Sequence, residues 1–303
     1  MKKLSLSRIH YFYMTHKAGS MRAASDLLNV APSSISRQIS LLEEEVGLPL
    51  IERGRRSIKL TEAGDSVIDY YREELALEET FRENIENLRG QRRGNIQVAM
   101  GEGFVSNHFA SIVADFIAAH PGISINVEIA ATNDLARMVS EDDVHFGLTF
   151  EAPADPRLSR RLSLPAPICF MVAPGHPLAK QDTVQLKDLG NELLALPGHS
   201  FRIRQMLEQA QLRDGVHLKA NFTSNSLALL KDFTYSGKGS TILPQVAALA
   251  EIAQGSLVSI PIDNPILAET TVNVMTRRGR QLPTAIISFM NLVSSNLSQG
   301  LKR

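Results

Sequence analysis

Residues 20–42 read SMRAASDLLNVAPSSISRQISLL. Ser20 stands where an N-cap belongs, and Ala23, Ala24, Leu27 and Leu28 then form an apolar stripe at helical spacing. Asn29 suits a left-handed C-terminal turn, and Pro32 suits the first turn of a following helix. That next helix carries Ile35, Ile39 and Leu42 at i, i+4 and i+7. The pattern predicts two short helices joined by a tight turn. The other face of the second helix presents Ser33, Ser34, Ser36, Arg37, Gln38 and Ser40. Short hydroxyls, a guanidinium and an amide can reach base edges and phosphates in a major groove. A surface helix without such a task more often carries Glu and Lys, and the bland alternative is a generic small helical domain.

Upstream, Ser7–Lys17 reads as a helix with Ile9, Phe12, Tyr13 and the stem of His16 inward, stopped by Gly19. Downstream of Gly47, Leu48–Ile51 and Ile58–Leu60 read as two strands around the turn Glu52–Ser57. This is a wing whose Arg53, Arg55 and Arg56 can track a phosphate backbone or enter a minor groove.

Charge is distributed to match. The chain of 303 residues has 32 Lys and Arg against 32 Asp and Glu, so it is neutral as a whole. Residues 1–61 hold 10 basic and 5 acidic side chains, net +5; residues 62–93 hold 5 and 9, net −4; the remainder is net −1. Affinity for a phosphate backbone follows local cations rather than whole-chain charge. Length gives a prior of two domains, and 44% hydrophobic with 21% charged residues is ordinary for a globular chain. Aromatics at 6% without Trp supply few stacking platforms for single-stranded nucleic acid. The single cysteine, Cys169, excludes a disulfide framework, a Cys-rich zinc site and a two-thiol switch within the chain. The start MKKLSLSRIHYF lacks the apolar core of a signal peptide, and no run of about 18 apolar residues exists. A cytoplasmic, non-membrane protein is the expectation.

The runs Ala23–Val30, Ser34–Ile39 and Leu42–Arg53, closed by Thr61-Glu62-Ala63-Gly64, resemble the LysR-type transcriptional regulators in fixed register, and the resemblance continues to about residue 300. It implies an N-terminal winged helix-turn-helix over 1–61 (fold class α+β), a linker helix over 62–89, a hinge over 90–94, and an α/β effector-binding domain over 95–303. That last domain has a two-subdomain, periplasmic-binding-protein-like arrangement, with subdomain I at about 95–164 and 269–303 and subdomain II at about 165–268. The chain departs from the family's usual Gln at Pro32 and Thr at Ala31, and from its usual Gly at Ala130 and Asp142 and Asp at His145.

From Glu62 to Arg89 there is no Pro and only Gly64, and Val67, Tyr70, Leu77, Phe81, Ile85 and Leu88 fall at 3–4 spacing. This is an amphipathic helix with a seam. Packing on its own domain is one reading; pairing with a second copy is favoured, and the resemblance implies the same. Two DNA-binding heads would then read a pseudo-palindromic double-stranded site. The resemblance also implies assembly to a tetramer and contact with RNA polymerase.

After Gly94 strand and helix patterns alternate, which implies an α/β layer fold. Strands are read at Ile96–Met100, Ile123–Ile129, Phe146–Thr149, Ile168–Val172, Ser240–Leu243 and Thr271–Met275. Such sheets bind ligands beyond the carboxyl ends of their strands. Glu102, Gly103 and Phe104 follow the first strand, Thr132 starts a helix, and Ser200, Phe201 and Arg202 open another. Together they are the candidate effector site, with Glu102 expected to repel an anion. Prolines near Pro165-Ala166-Pro167 and Asn264-Pro265 suggest stiff extended crossings.

Catalytic motifs fail. Gly198-His199-Ser200 lacks the closing Gly of a nucleophile elbow. Gly237-Lys238-Gly239-Ser240 has the wrong spacing for a P-loop. The eight His show no metal-ligand spacing, and Cys169 reads as core. The expected protein is not an enzyme and takes no cofactor. It is a homo-oligomeric, sequence-specific DNA-binding regulator whose geometry and promoter bending respond to a small effector of unknown identity. The alternative is an effector-independent DNA-architectural protein.

Overall fold

The computed structural model describes residues 4–52, 58–89 and 93–301, with Asn87 by its backbone only. The chain divides into two compact units, Met1–Arg82 and Glu83–Arg303.

In the first unit, α1 (Leu6–Ala18), α2 (Met21–Leu28) and α3 (Pro32–Val46) precede α4 (Glu62–Leu88). Ser20 caps α2 by accepting from the Ala23 N–H at 3.1 Å, and Asn29 ends that helix at φ 53°. Ile9, Phe12, Ala24, Ile35, Ile39 and Leu42 form the core, joined by Leu50 and by Val67, Ile68 and Tyr71 of α4. One stripe residue departs from expectation: Leu27 is 67% exposed. The two-turn helix α2 presents Ala24 and Ser25 inward instead, and Ser25 satisfies its hydroxyl on the Arg22 carbonyl at 2.7 Å.

The expected wing strands reduce to an antiparallel bridge between Ile51 and Leu60, beside the bond from Glu52 N–H to the Lys59 carbonyl. Arg53, Arg55 and Arg56 lie outside the described residues. Below the bridge, Thr61 fixes the start of α4. Its hydroxyl donates to the Pro49 carbonyl at 2.7 Å and accepts from the Gly64 N–H at 3.1 Å. Gly64 is needed because a Cβ there would overlap the Leu50 carbonyl oxygen.

Helix α4 carries two apolar stripes rather than one. Val67, read as part of the seam, is buried in the first unit's own core with Ile68 and Tyr71, whose hydroxyl meets His10 Nδ1 at 2.9 Å. Of the remaining seam residues Ile85 is half-buried, and the others stay in solvent: Tyr70 is 42% exposed, Leu77 59%, Phe81 62% and Leu88 84%. The last residues of α4 belong to the second unit, where the Glu83 carboxylate accepts from the Thr284 and Ala285 N–H groups at 2.8 and 2.9 Å.

The second unit runs β1 (Gly94–Met100), α5 (Asn107–Ala119), β2 (Ile123–Ile129), α6 (Thr132–Ser140), β3 (Phe146–Phe150), β4 (Leu158–Pro165), β5 (Ile168–Val172), β6 (Leu194–Pro197) and α7 (Arg202–Asp214). It continues through β7 (Ala220–Ser224), α8 (Leu227–Tyr235), β8 (Ser240–Pro244), α9 (Leu249–Ala253), β9 (Val258–Pro261), α10 (Pro265–Ala268), β10 (Thr271–Arg277) and α11 (Thr284–Gly300). Two five-stranded sheets result, ordered β2-β1-β3-β10-β4 and β7-β6-β8-β5-β9. Each mixes parallel pairs with antiparallel ones from the returning chain.

The chain passes between the sheets at Ala166-Pro167 and again through α10. The two passages are bonded to each other: Ala166 N–H donates to the Thr270 carbonyl at 2.9 Å, and the Thr270 hydroxyl donates to the Ala166 carbonyl at 2.7 Å. The second passage is not extended as expected. Pro265 opens a single helical turn capped by Asn264, whose side-chain oxygen accepts from Ile266 N–H at 2.9 Å.

Strands β4, β6, β7 and β9 were not legible in the pattern. In β4 a register shift opposite Val274 and Met275 leaves Arg161 unmatched and breaks the period-two alternation. The others span four or five residues, and β7 and β9 lie at sheet edges. Two departures from the family's residues also have structural meaning. Asp142 adopts φ 59° and pairs with Arg277 Nε and Arg280, both at 2.7 Å, all three side chains being nearly inaccessible. His145 Nδ1 accepts the Gln97 N–H at 2.9 Å, tying the start of β3 to β1.

Gly64→Ala is expected to destabilise the N-terminal unit by about 1–3 kcal/mol through steric conflict with Leu50. Urea unfolding followed by circular dichroism measures this, and an unchanged midpoint would refute the close-approach argument.

Candidate functional site

Two surfaces carry the residues singled out from the sequence. The first is α3. Ile35, Ile39 and Leu42 are locked in the core, which holds the opposite face in a fixed orientation. Ser33, Ser34, Ser36 and Arg37 on that face are exposed and Gln38 is half-buried. The helix starts at Pro32 after Ala31, which offers no side-chain acceptor. Pro32 has no N–H and the Ser34 N–H is bonded to the Ala31 carbonyl at 2.9 Å, so this start offers the Ser33 N–H beside the serine hydroxyls.

The second is a cleft of about 320 Å³ between the two sheets of the C-terminal unit. All six effector candidates line it: Gly103, Phe104, Thr132, Ser200, Phe201 and Arg202. They come from the carboxyl ends of strands or the first turns of helices, where an open α/β sheet leaves a crevice. Asn225, Leu227, Pro244 and Val246 also line it and were not foreseen. Pro244 ends β8, so the strand-end rule already pointed to it, whereas Asn225 and Leu227 follow the unread strand β7.

The polar character of the cleft comes from helix starts. Ala131 before α6 and Phe201 before α7 provide no side-chain cap. The first N–H groups of both helices keep their need for an acceptor, and the N-terminal ends carry partial positive charge. Arg202 adds a full positive charge, with its Nη1 resting on Gln205 at 3.3 Å. Glu102 supplies the opposing charge. Its carboxylate is already engaged, accepting the Leu227 N–H at the start of α8 at 2.8 Å. Glu102 thus links one subdomain to the other rather than lying idle at the mouth.

The rejected motifs have structural roles. His199 beside Ser200 turns to Glu208 at 2.8 Å, and Arg204 and His199 hold that carboxyl below the usual range. Gly239 lacks a Cβ because the Phe233 ring occupies its place. Cys169 is 2% exposed, and burial pushes its thiol up. No cluster of potential metal ligands occurs among the described residues, and no helix there is long and apolar enough to cross a membrane.

Glu102→Ala is expected to cost about 1 kcal/mol, since it leaves Leu227 N–H without its acceptor. Glu102→Gln keeps an accepting oxygen and should cost less. Thermal unfolding of both variants checks this, and equal losses would show that the bond is not the source.

Comparison with known proteins gives the family. The family model for the bacterial regulatory helix-turn-helix protein of the lysR family matches residues 6–65, and that for the LysR substrate binding domain matches residues 89–298. The RuBisCO operon transcriptional regulator of Allochromatium vinosum is 25% identical over 98% of this chain and 97% of its own. Full-length CbnR, solved in complex with its target DNA, superposes with a TM-score of 0.54 at 20% identity, covering 96% of this chain and 99% of that one. The CcmR regulatory domain of Synechocystis, solved with 2-PG, gives a TM-score of 0.57 at 18% identity, covering 68% of this chain and 98% of that domain. With one family model spanning the helix-turn-helix and another more than half of the chain, the protein belongs to the LysR family of DNA-binding transcriptional regulators.

Proposed function

We propose that this regulator binds a small anionic effector in the cleft and converts its binding into a change in how two DNA-reading heads are presented. The observation that carries the reading is the convergence of two side-chain-uncapped helix starts, Thr132, Ser200 and Arg202 on one cavity walled by both sheets. A carboxylate or phosphoryl group matches N–H donors and a guanidinium. The 2-PG complex of the similar CcmR domain is consistent with such a ligand. An occupant touching both subdomains favours the arrangement that contacts it best, and only this difference in affinity between states shifts their populations.

On the DNA side, the exposed serines, Arg37 and Gln38 of α3 would read base edges, with Arg53, Arg55 and Arg56 as backbone contacts. The seam Tyr70, Leu77, Phe81 and Leu88 is an exposed apolar row on a helix otherwise rich in carboxylates. Burial against the same row of a second copy removes it from water. Two heads related by a two-fold axis read an inverted repeat, so a pseudo-palindromic promoter site is the expected target. Higher assembly to a tetramer, bending of promoter DNA and contact with RNA polymerase complete the proposal.

The test is selection of native genomic fragments by the purified protein at several salt concentrations. A few enriched fragments sharing an inverted repeat support the reading. Uniform, salt-sensitive retention of all fragments favours an architectural role. On a selected fragment, Arg37→Ala should remove operator preference, by about 1–3 kcal/mol of discrimination. Thr132→Val should spare operator affinity and lose the response to effector; loss of both would mean a folding defect. Leu77→Glu with Phe81→Glu should leave the monomer folded and abolish the dimer in sedimentation velocity, and a persistent dimer would place the interface elsewhere.

A further inference from the structure

Behind the effector cleft lies a second, larger cavity of about 500 Å³. Its size falls within the roughly 300–1,000 Å³ of small-molecule sites. Phe109 and Ile112 of α5 and Val293 and Leu297 of α11 wall it on one side, and Leu249 and Ile252 of α9 on the other. Among the described residues its Lys and Glu side chains are Lys231 and Glu251, paired with each other between α8 and α9 at 2.5 Å, and His108 also reaches the lining. Asn296, also at the rim, gives its amide to the Leu292 carbonyl of its own helix at 2.9 Å. The start of α5 is capped by Ser106, whose hydroxyl accepts the Phe109 N–H at 3.2 Å, while α9 begins after Ala248 without a side-chain cap. The wall is mainly apolar, which suits an apolar ring.

The structure assigns this cavity as a second ligand site, for a neutral, mainly apolar molecule of one or two rings or a branched aliphatic chain. The contrast with the cleft decides the ligand class. The cleft gathers two helix starts without side-chain caps and the Arg202 guanidinium around a small volume. This cavity pairs Lys231 with Glu251 and lines most of its remaining wall with aliphatic and aromatic carbon, with Ser106, His108, Gln245, Gln254 and Asn296 as its neutral polar groups, so burial of apolar surface is the main reward of filling it. The two sites are separate yet share a partition: Gly103, Phe104 and Val246 face both. That partition includes the turn bearing Glu102, whose bond to Leu227 spans the subdomains. An apolar occupant touches α5 and α11 on one side and α9 on the other. Its binding is therefore coupled, reciprocally, to that of the cleft ligand.

N-phenyl-1-naphthylamine, a neutral two-ring-system probe whose fluorescence rises on transfer out of water, tests the assignment on the full chain. The expected result is saturable enhancement at one probe per protomer. Leu297→Phe fills the wall and should weaken binding at least tenfold. Ala250→Phe narrows the exposed mouth without touching the core and should weaken it several-fold, which keeps the test valid if Leu297→Phe does not fold. Thr132→Val alters only the cleft and should leave probe affinity within twofold. Absence of saturable binding overturns the proposal. So does binding that ignores both filling substitutions, or binding that is lost with Thr132→Val.

Discussion

The C-terminal unit depends on one small clasp. Its two sheets are connected by only two passages of chain, and Ala166 and Thr270 bond these passages to each other through backbone and hydroxyl, both residues out of solvent. Two separate tethers would let the sheets slide or twist independently. Two tethers bonded side by side leave opening and closing as the soft motion. The ligand-facing walls lie where that motion has consequence, at the carboxyl ends of strands in both sheets. The Glu102–Leu227 bond is the counterpart across the opening. It joins the same two bodies beside the packing of Gly103 against Ala247 and Leu227.

The N-terminal unit is built on a different economy of contacts. Three short helices cannot bury enough surface alone, so the start of α4 completes the core with Val67, Ile68 and Tyr71. Thr61 and Gly64 fix where that helix begins relative to the loop carrying Leu50. The consequence is that α3, with its exposed Ser33, Ser34, Ser36 and Arg37, and the first turns of α4 are packed into one core.

The parts legible in the sequence were those with a local signature. The helix-turn-helix declared itself because caps, a left-handed Asn29 and a 3.6-residue stripe coincide within one short segment. The cleft residues followed from a topological rule that needs only strand ends and helix starts. What escaped notice was made by tertiary context. The edge strands β7 and β9 bury too little to show a pattern, and the bulge in β4 scrambles its alternation. The two stripes of α4 overlap in sequence, so one seam was read where the structure has a buried row and an exposed one. The second cavity joins residues near 104, 246 and 297, which no window of sequence brings together.

Asp142 shows local and tertiary preference in open conflict. Its backbone sits at φ 59°, where glycine is at ease and aspartate is tolerated. Its side chain, however, is the shared counter-ion of Arg277 and Arg280 in a site closed to water. A glycine there would relax the turn and take a shared carboxylate away from two buried guanidinium groups, which is costly where charges are shielded from water. The position is a frustrated one in the landscape sense. The residue that best suits its own peptide unit is the wrong residue for the fold, and change at this site requires three positions to move together.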